Sequence, residues 1–315
     1  MDLSLIIPLY NEAESLPELK NWIDSALKDF SYEILFVDDG STDDSWKVIQ
    51  ELAAKDSKTV KGIRFRRNYG KSAALYEGFA AAQGDIVVTM DADLQDSPEE
   101  IPEMVRMIKE EGYDLVSGWK KHRKDNALTK NLPSKLYNWT ARKVTGIKLH
   151  DMNCGLKAYK ADVVKNIEVY GEMHRYIPYL AKNAGFGKIG EKPVHHQKRK
   201  YGYSKFGMNR FVNGFLDLMS LWFLSRFGRK PMHFFGTSGI LMFLVGFVMT
   251  VCIVVNKLVH QAQGVKFRPV TDQPLFYLAL LAVVLGVMLF LAGFVGEMIA
   301  RSSTERNIYQ VKERI

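Results

Sequence analysis

The first 120 residues alternate between short, mostly apolar runs and longer stretches in which apolar residues recur every three or four positions. The runs at residues 3–9, 33–37, 62–65, 85–90 and 114–117 predict strands, and the stretches at 12–28, 43–55, 71–83 and 98–111 predict helices. A strand covered by helices on both faces has no polar side, so it reads as a continuous apolar run. The alternation therefore predicts an α/β domain built on a mostly parallel, doubly wound sheet. Ligands of such sheets bind at the carboxyl ends of the strands. Those ends carry Tyr10-Asn11-Glu12, Asp38-Asp39-Gly40-Ser41 and Asp91-Ala92-Asp93.

Up to residue 203 the periodicity weakens and Lys, Arg, His and Gly become dense. Residues 204–227 return to helical spacing, with Phe206, Phe211, Phe215, Leu218, Met219, Trp222 and Phe223 interspersed with Lys205, Arg210 and Arg226. That pattern fits an interfacial helix with aromatic residues at headgroup depth, or an amphipathic core helix. Two long apolar runs follow, at 234–256 without a formal charge and at 274–300 with Glu297 near its end. Each exceeds the roughly 20 residues needed to cross a bilayer. The order expected is a domain over 1–203, a juxtamembrane segment over 204–230, spans at 234–256 and 274–300 joined by an external loop at 257–273, and a tail at 301–315.

Charge sharpens the topology. Met1-Asp2-Leu3-Ser4-Leu5 has no basic leader region, so the N-terminal domain is expected in the cytoplasm. Arg226, Arg229 and Lys230 precede the first span, and Arg301, Arg306, Lys312 and Arg314 follow the second, so both termini are expected inside. The formal net charge of +8 suits a protein lying against an anionic leaflet. Without a nucleic-acid motif, the spans account for the basicity more simply. Cys154 and Cys252 form neither a disulfide framework nor a CxxC site.

Asp91 and Asp93 lie one residue apart at a strand end, where both can direct oxygens at one hard cation such as Mg²⁺ or Mn²⁺, with substrate phosphates completing the shell. Such a cation offsets diphosphate charge and stabilises a departing nucleotide. Gln95 adds a polar group two residues on. Asp38 and Asp39 can accept hydrogen bonds from a nucleobase or ribose, or can belong to a turn that Gly40 bends and Ser41 or Thr42 caps. Glu12 likewise suits a first-turn acid. No GxGxxG follows the first strand, which argues against a dinucleotide site.

The segments IIPLYNE, FVDDGSTD, RNYGKSAALYEGFAAAQGD and MDADLQDSPEEIP, in that order, resemble the family 2 glycosyltransferases. They are most similar to the dolichol-phosphate mannose synthase-like and bacterial polyprenyl-phosphate branch. The strong matches cover residues 3–120, and weaker ones reach 205. The resemblance implies a GT-A (Rossmann-like) catalytic domain, inversion at the anomeric carbon, and Mg²⁺ or Mn²⁺. It places the nucleotide on Pro8, Tyr10, Glu12, Asp39 and Asp91, with Asp38 and Lys71 beside them, and the metal on Asp91, Asp93 and Gln95. It implies a nucleotide-sugar donor, UDP-glucose slightly ahead of GDP-mannose, and a polyprenyl-phosphate acceptor in the inner (plasma) membrane. A homo-oligomer is also in keeping with the family.

Basic residues near the acceptor follow from chemistry as well. A lipid monophosphate is largely a dianion at neutral pH, because its second ionisation lies near about 6. It needs positioning and relief of repulsion more than a strong base. Arg199, Ser204, Lys205 and Lys135 suit that task, and a basic loop supplies Lys120, Lys121 and Arg123. A solvated basic face near anionic lipid is the plainer alternative. His150-Asp151-Met152-Asn153-Cys154-Gly155-Leu156-Lys157 is a further polar cluster, in which Asp151 is expected to orient the acceptor or act as base, unless the cluster is a turn. His174 to Pro178 and His195-His196 are expected to line the acceptor site rather than to bind zinc. Two other functions fit less well. A processive polysaccharide synthase lacks its QxxRW segment here, and an inactive nucleotide-binding scaffold would retain the metal residues without purpose.

Overall fold

The computed structural model describes residues 1–121, 145–197, 231–264, 268–302 and 311–314, with a few isolated positions between them. It forms two compact units, one of residues Met1–Leu218 with Arg306–Ile315, the other of Met219–Glu305.

In the first unit the strands are β1 (Leu3–Leu9), β2 (Tyr32–Asp38), β3 (Val60–Phe65), β4 (Ile86–Thr89), β5 (Leu115–Trp119), β6 (Lys157–Lys160), β7 (Ile189–Pro193) and β8 (Val311–Arg314). They form one eight-stranded sheet in the order β7-β5-β6-β4-β1-β2-β3-β8. The β1–β2, β1–β4, β2–β3 and β5–β7 pairs are parallel, whereas β6 runs antiparallel to both β4 and β5, and β8 antiparallel to β3. Helices α1 (Leu16–Ala26), α2 (Ser45–Lys55), α3 (Lys71–Ala81) and α4 (Ile101–Lys109) connect the parallel strands, and the short α5 (Ala161–Lys165) and α6 (Ile177–Asn183) follow β6.

The sheet is buried on both faces. Leu3, Leu5, Ile7 and Leu9 of β1 pack with Leu16, Leu19 and Ile23 of α1 and with Ile101, Met104 and Ile108 of α4. Ile6, on the opposite face, joins Ala74, Leu75 and Phe79 of α3 and Ile177 of α6. This two-sided cover is why the strand sequences show no polar alternation. The main polar exception lies at the amino ends of the strands. There the fully buried Glu33 carboxylate accepts from Ser4 Oγ (2.6 Å) and from the Gln83 N–H (2.8 Å), and pairs with Lys61 (2.7 Å).

Helix α1 begins at Leu16 rather than at residue 12. The backbone of residues 11 and 12 is committed elsewhere: Asn11, at φ 56°, and Glu12 donate their N–H groups to Ser41 and Ser45. Residues 311–314, within the segment expected as a tail, form the edge strand β8, and Arg314 pairs with Glu77 of α3 at 2.7 Å.

The second unit holds α7 (Pro231–Ala262) and α8 (Pro274–Ser302), both long and apolar enough to cross a membrane. Large apolar residues such as Leu241, Phe247, Leu281 and Met288 face outward, as lipid contact requires. Gly239 lies against Gly286 and Phe290, and Gly246 against Ala279 and Val283, so small residues let the two backbones approach closely. Thr237 and Thr250 bond to carbonyls one turn back in their own helix, which satisfies their hydroxyls without water.

Candidate active site

Three loops meet at the carboxyl ends of β1, β2 and β3. Asn11 Oδ1 accepts the Thr42 N–H at 2.8 Å, which joins the β1–α1 loop to the β2–α2 loop. Gly40 is in the left-handed region at φ 73°, and a side chain there would strike the backbone of Arg67 and Asn68 at 2.6–2.8 Å. The β3–α3 loop therefore packs directly on Gly40. Asp38 and Asp39 serve this junction. Buried Asp38 accepts the Ser41 N–H at 2.8 Å and lies 3.4 Å from Arg64 Nε, while Asp39 accepts the N–H groups of Tyr69 (2.7 Å) and Gly70 (2.9 Å). Burial pushes the Asp39 carboxyl up to about 6, against the pull of those two N–H groups. Pro8, Tyr10 and Glu12 sit at the β1 end of the same junction.

Asp91 follows β4 and forms an ion pair with Lys71, the first residue of α3. Burial opposes its ionisation, but Lys71, with Lys120 and Lys157 nearby, holds its carboxyl down to about 2. Asp93 lies just beyond and accepts the Gln95 N–H at 3.2 Å, with Leu94 at φ 59° turning the chain between them. Gln95 is anchored in turn, since its carbonyl accepts the Gln197 N–H at 2.9 Å. Behind this loop the fully buried Asp96 pairs with Lys120 at 2.7 Å. Lys120, one of the basic-loop lysines considered for the acceptor, thus faces Asp96.

The segment from His150 to Gly155 completes the cluster. Thr89 Oγ1, at the end of β4, donates to the Gly155 carbonyl at 3.0 Å. A Cβ on Gly155 would lie 2.7 Å from Asp91 Cγ and closer still to Oδ2, so the segment lies directly on the Asp91 carboxylate. Asp151 is buried and accepts the Asn153 N–H at 3.1 Å. Lys157, at the start of β6, is buried behind them with its ammonium on the Cys154 carbonyl, and burial lowers its pKa. On the other side Ser72 exchanges hydrogen bonds with His174, through its backbone N–H (3.1 Å) and Nδ1 (3.0 Å).

The structure thus brings Asp38, Asp39, Lys71, Asp91, Asp93, Gln95 and Asp151 to one end of the sheet. The expected acceptor residues Arg123, Lys135, Arg199, Ser204 and Lys205 lie outside the described residues. Sequence reasoning missed Asp96 and Glu191, and it named Gly155 and Lys157 in a polar cluster without giving either a role. Lys157 and Glu191 look like solvated charges in the sequence, and only the placement of β6 and β7 on either side of β5 reveals their burial.

The oxygens present suit a hard divalent cation. Asp91 is held ionised, Asp93 lies two residues on, and Gln95 adds an amide. No group of three or more His, Cys, Asp or Glu that would hold a metal occurs among the described residues. A cation here would complete its shell with substrate phosphates or water.

The glycosyl transferase family 2 model matches residues 4–168. The chain belongs to that family. This family 2 glycosyltransferase is similar to the dodecaprenyl-phosphate galacturonate synthase of Rhizobium johnstonii, at 32% identity over 96% of this chain and 88% of the relative. It is also similar to the undecaprenyl-phosphate 4-deoxy-4-formamido-L-arabinose transferase of Shewanella sediminis, at 36% identity over 95% of this chain and 87% of the relative. Among solved structures, the fold resembles glucosyl-3-phosphoglycerate synthase of Mycobacterium tuberculosis in complex with Mn²⁺, UDP-glucose and phosphoglyceric acid. That likeness has a TM-score of 0.51 and 20% identity, and covers 71% of this chain and 79% of the other. The glycosyltransferase thus has the GT-A fold expected from its sequence, and it is an enzyme of the inverting class.

Proposed function

We propose that this glycosyltransferase moves a sugar from a nucleoside diphosphate to the phosphate of a polyprenyl lipid, with inversion, at a membrane surface. One observation carries the reading. The segment holding Asp151 lies directly on the Asp91 carboxylate, so a residue suited to an acceptor and a residue suited to the donor diphosphate occupy one site. Two relatives aligned over at least 95% of the chain, both named for polyprenyl phosphates, support the choice of acceptor.

Pro8, Tyr10, Glu12, Asp38 and Asp39 hold the nucleotide in the junction of the first three loops, and Lys71 meets the diphosphate. Asp91, Asp93 and Gln95 would hold Mg²⁺ or Mn²⁺, which would offset diphosphate charge as the nucleotide departs. Asp151 orients the lipid phosphate opposite the leaving group. The dianion is already a competent nucleophile, so the protein's task is alignment. Arg123, Lys135, Arg199, Ser204 and Lys205 neutralise the acceptor phosphate. Among donors we favour a UDP-sugar, in keeping with the UDP-glucose held by the structural neighbour. The relatives are named for galacturonate and for formamido-arabinose, so the sugar itself is best sought across a panel.

Helices α7 and α8 cross the inner membrane as a hairpin, with the sheet-bearing unit in the cytoplasm. An even number of crossings returns the chain to its starting side, and the incorporation of β8 into the sheet supports this. The test is transfer by the full-length protein in detergent with Mn²⁺ or Mg²⁺, undecaprenyl phosphate and labelled UDP- and GDP-sugars. Metal-dependent entry of label into the organic phase with one donor supports the reading. Nucleotide binding without any lipid labelling refutes the acceptor.

A further inference from the structure

Glu191, in the middle of β7, has a nearly buried carboxylate, with 11% of its side chain exposed. It turns toward the segment that carries Asp151. Oε1 accepts the backbone N–H groups of His150 (2.7 Å) and Asp151 (3.0 Å), and Oε2 lies 2.7 Å from His150 Nδ1. The His150 ring also stacks on Trp119, the last residue of β5, with centroids 4.2 Å apart and planes 17° from parallel. Since β5 and β7 are hydrogen-bonded neighbours, the carboxylate and the indole rise from adjacent strands to hold one end of the segment. The other end is fixed by the Thr89 bond to Gly155 and by the Asp91 carboxylate beneath Gly155. Asp151 lies between the two anchors.

A carboxylate withdrawn from water is costly unless its lone pairs are filled, and here one segment fills them. Two of the three groups are backbone N–H donors, whose direction depends on the backbone itself. Removing their common acceptor therefore frees the orientation of residues 150 and 151 while leaving the nucleotide loops untouched. We infer that Glu191 is a positioning residue for transfer, acting through Asp151 and not on either substrate. This rests on the reading of Asp151 as the residue that orients the acceptor.

The test is a double-mutant cycle on the full-length enzyme with Glu191→Ala, Asp151→Ala and both together. Groups that orient a reacting residue typically contribute about 10- to 100-fold. Glu191→Ala is expected to lower kcat by that factor and to leave KM for the nucleotide-sugar within about twofold. Glu191→Gln keeps an acceptor for the two N–H groups and should restore most of the rate. The double variant should be no slower than Asp151→Ala alone. Multiplicative losses, or a donor KM that rises with kcat unchanged, overturn the inference. So does a wild-type rate for Glu191→Ala beside an impaired Asp151→Ala. A wild-type rate for Asp151→Ala overturns the reading of Asp151 and the inference with it. If Glu191→Ala does not fold, His150→Ala removes the side-chain half of the clamp at an exposed residue, and a smaller loss in kcat is expected in the same cycle.

Discussion

Replacing Gly155 with alanine tests the contact between the two halves of the site with a single methyl group. Gly155 does not use a left-handed backbone conformation, so alanine brings no backbone strain, and its effect is steric. The new Cβ would lie 2.7 Å from Asp91 Cγ and 3.0 Å from Oδ1. Unstrained carbon contacts begin near about 3.5 Å, so the carboxylate or the segment must yield by roughly 0.8 Å. Retreat of the Asp91 carboxylate would disturb its ion pair with Lys71. A displacement near 1 Å within a reacting constellation costs roughly 100-fold in rate. Gly155→Ala should therefore slow transfer by about that factor and raise the Mn²⁺ concentration for half-maximal rate by about tenfold or more. The melting temperature, followed by circular dichroism in detergent, should fall by only a few degrees, in line with overpacking of about 1–3 kcal/mol. A folded Gly155→Ala enzyme with wild-type rate and metal dependence would refute the account of a shared site.

Three further outcomes follow from the remaining geometry. Asp39 has its carboxyl raised from 3.8 to about 6, so its neutral form stabilises the fold below pH 4 and that contribution is lost as pH rises through 6. The displacement corresponds to roughly 3 kcal/mol, so urea titrations at pH 4.5 and 7 should show wild type losing stability that Asp39→Asn keeps, and equal losses in both would contradict it. Glu33→Ala removes the common partner of Ser4, Lys61 and Gln83 and should cost about 3 kcal/mol, seen as a melting temperature lowered by roughly 10 °C. Surviving molecules should keep their KM for donor at low temperature, because Glu33 sits at the opposite end of β2 from Asp38; a changed KM would place Glu33 in the site's energetics. Gly239→Leu puts a side chain where even a Cβ would lie 2.6 Å from the Gly286 carbonyl oxygen, and it should loosen the α7–α8 pair by about 1–3 kcal/mol, read as faster proteolysis of that unit in detergent. Unchanged proteolysis would show that the helices do not depend on this approach.

The parallel half of the fold was legible because burial on both faces leaves strands with little polar character, a rule that β1 and β4 follow closely and β3, with its partly exposed Lys61 and Arg64, follows only in part. The antiparallel insertion β6 was not. It has four residues, with lysine at each end, and Lys157 is buried despite its charge because a carbonyl receives its ammonium. Strand β7 carries Glu191 and Lys192, and β8 lies in a charged tail, so neither reads as apolar or alternating. The start of α1 was misjudged because hydrophobic spacing takes no account of loop backbone held by Ser41 and Ser45. At the site, the carboxylates were legible from their positions at strand ends. Their internal partners were not, since those partners come from distant segments: Lys71 for Asp91, Lys120 for Asp96, and Tyr69 and Gly70 for Asp39. Gly155 shows the same limit. Nothing local distinguishes it from a turn glycine, and its role rests on the carboxylate that lies against it.

The central claim is attack of a lipid phosphate on a nucleotide-linked sugar, and the masses of the two products test it most directly. Full-length enzyme with Mn²⁺, undecaprenyl phosphate and the active donor should yield a lipid heavier by one sugar residue and still bearing one phosphate. The co-product should be nucleoside diphosphate, and both should be absent with Asp93→Ala. A lipid bearing two phosphates together with released nucleoside monophosphate would mean that a phosphosugar is transferred instead, and would contradict the account.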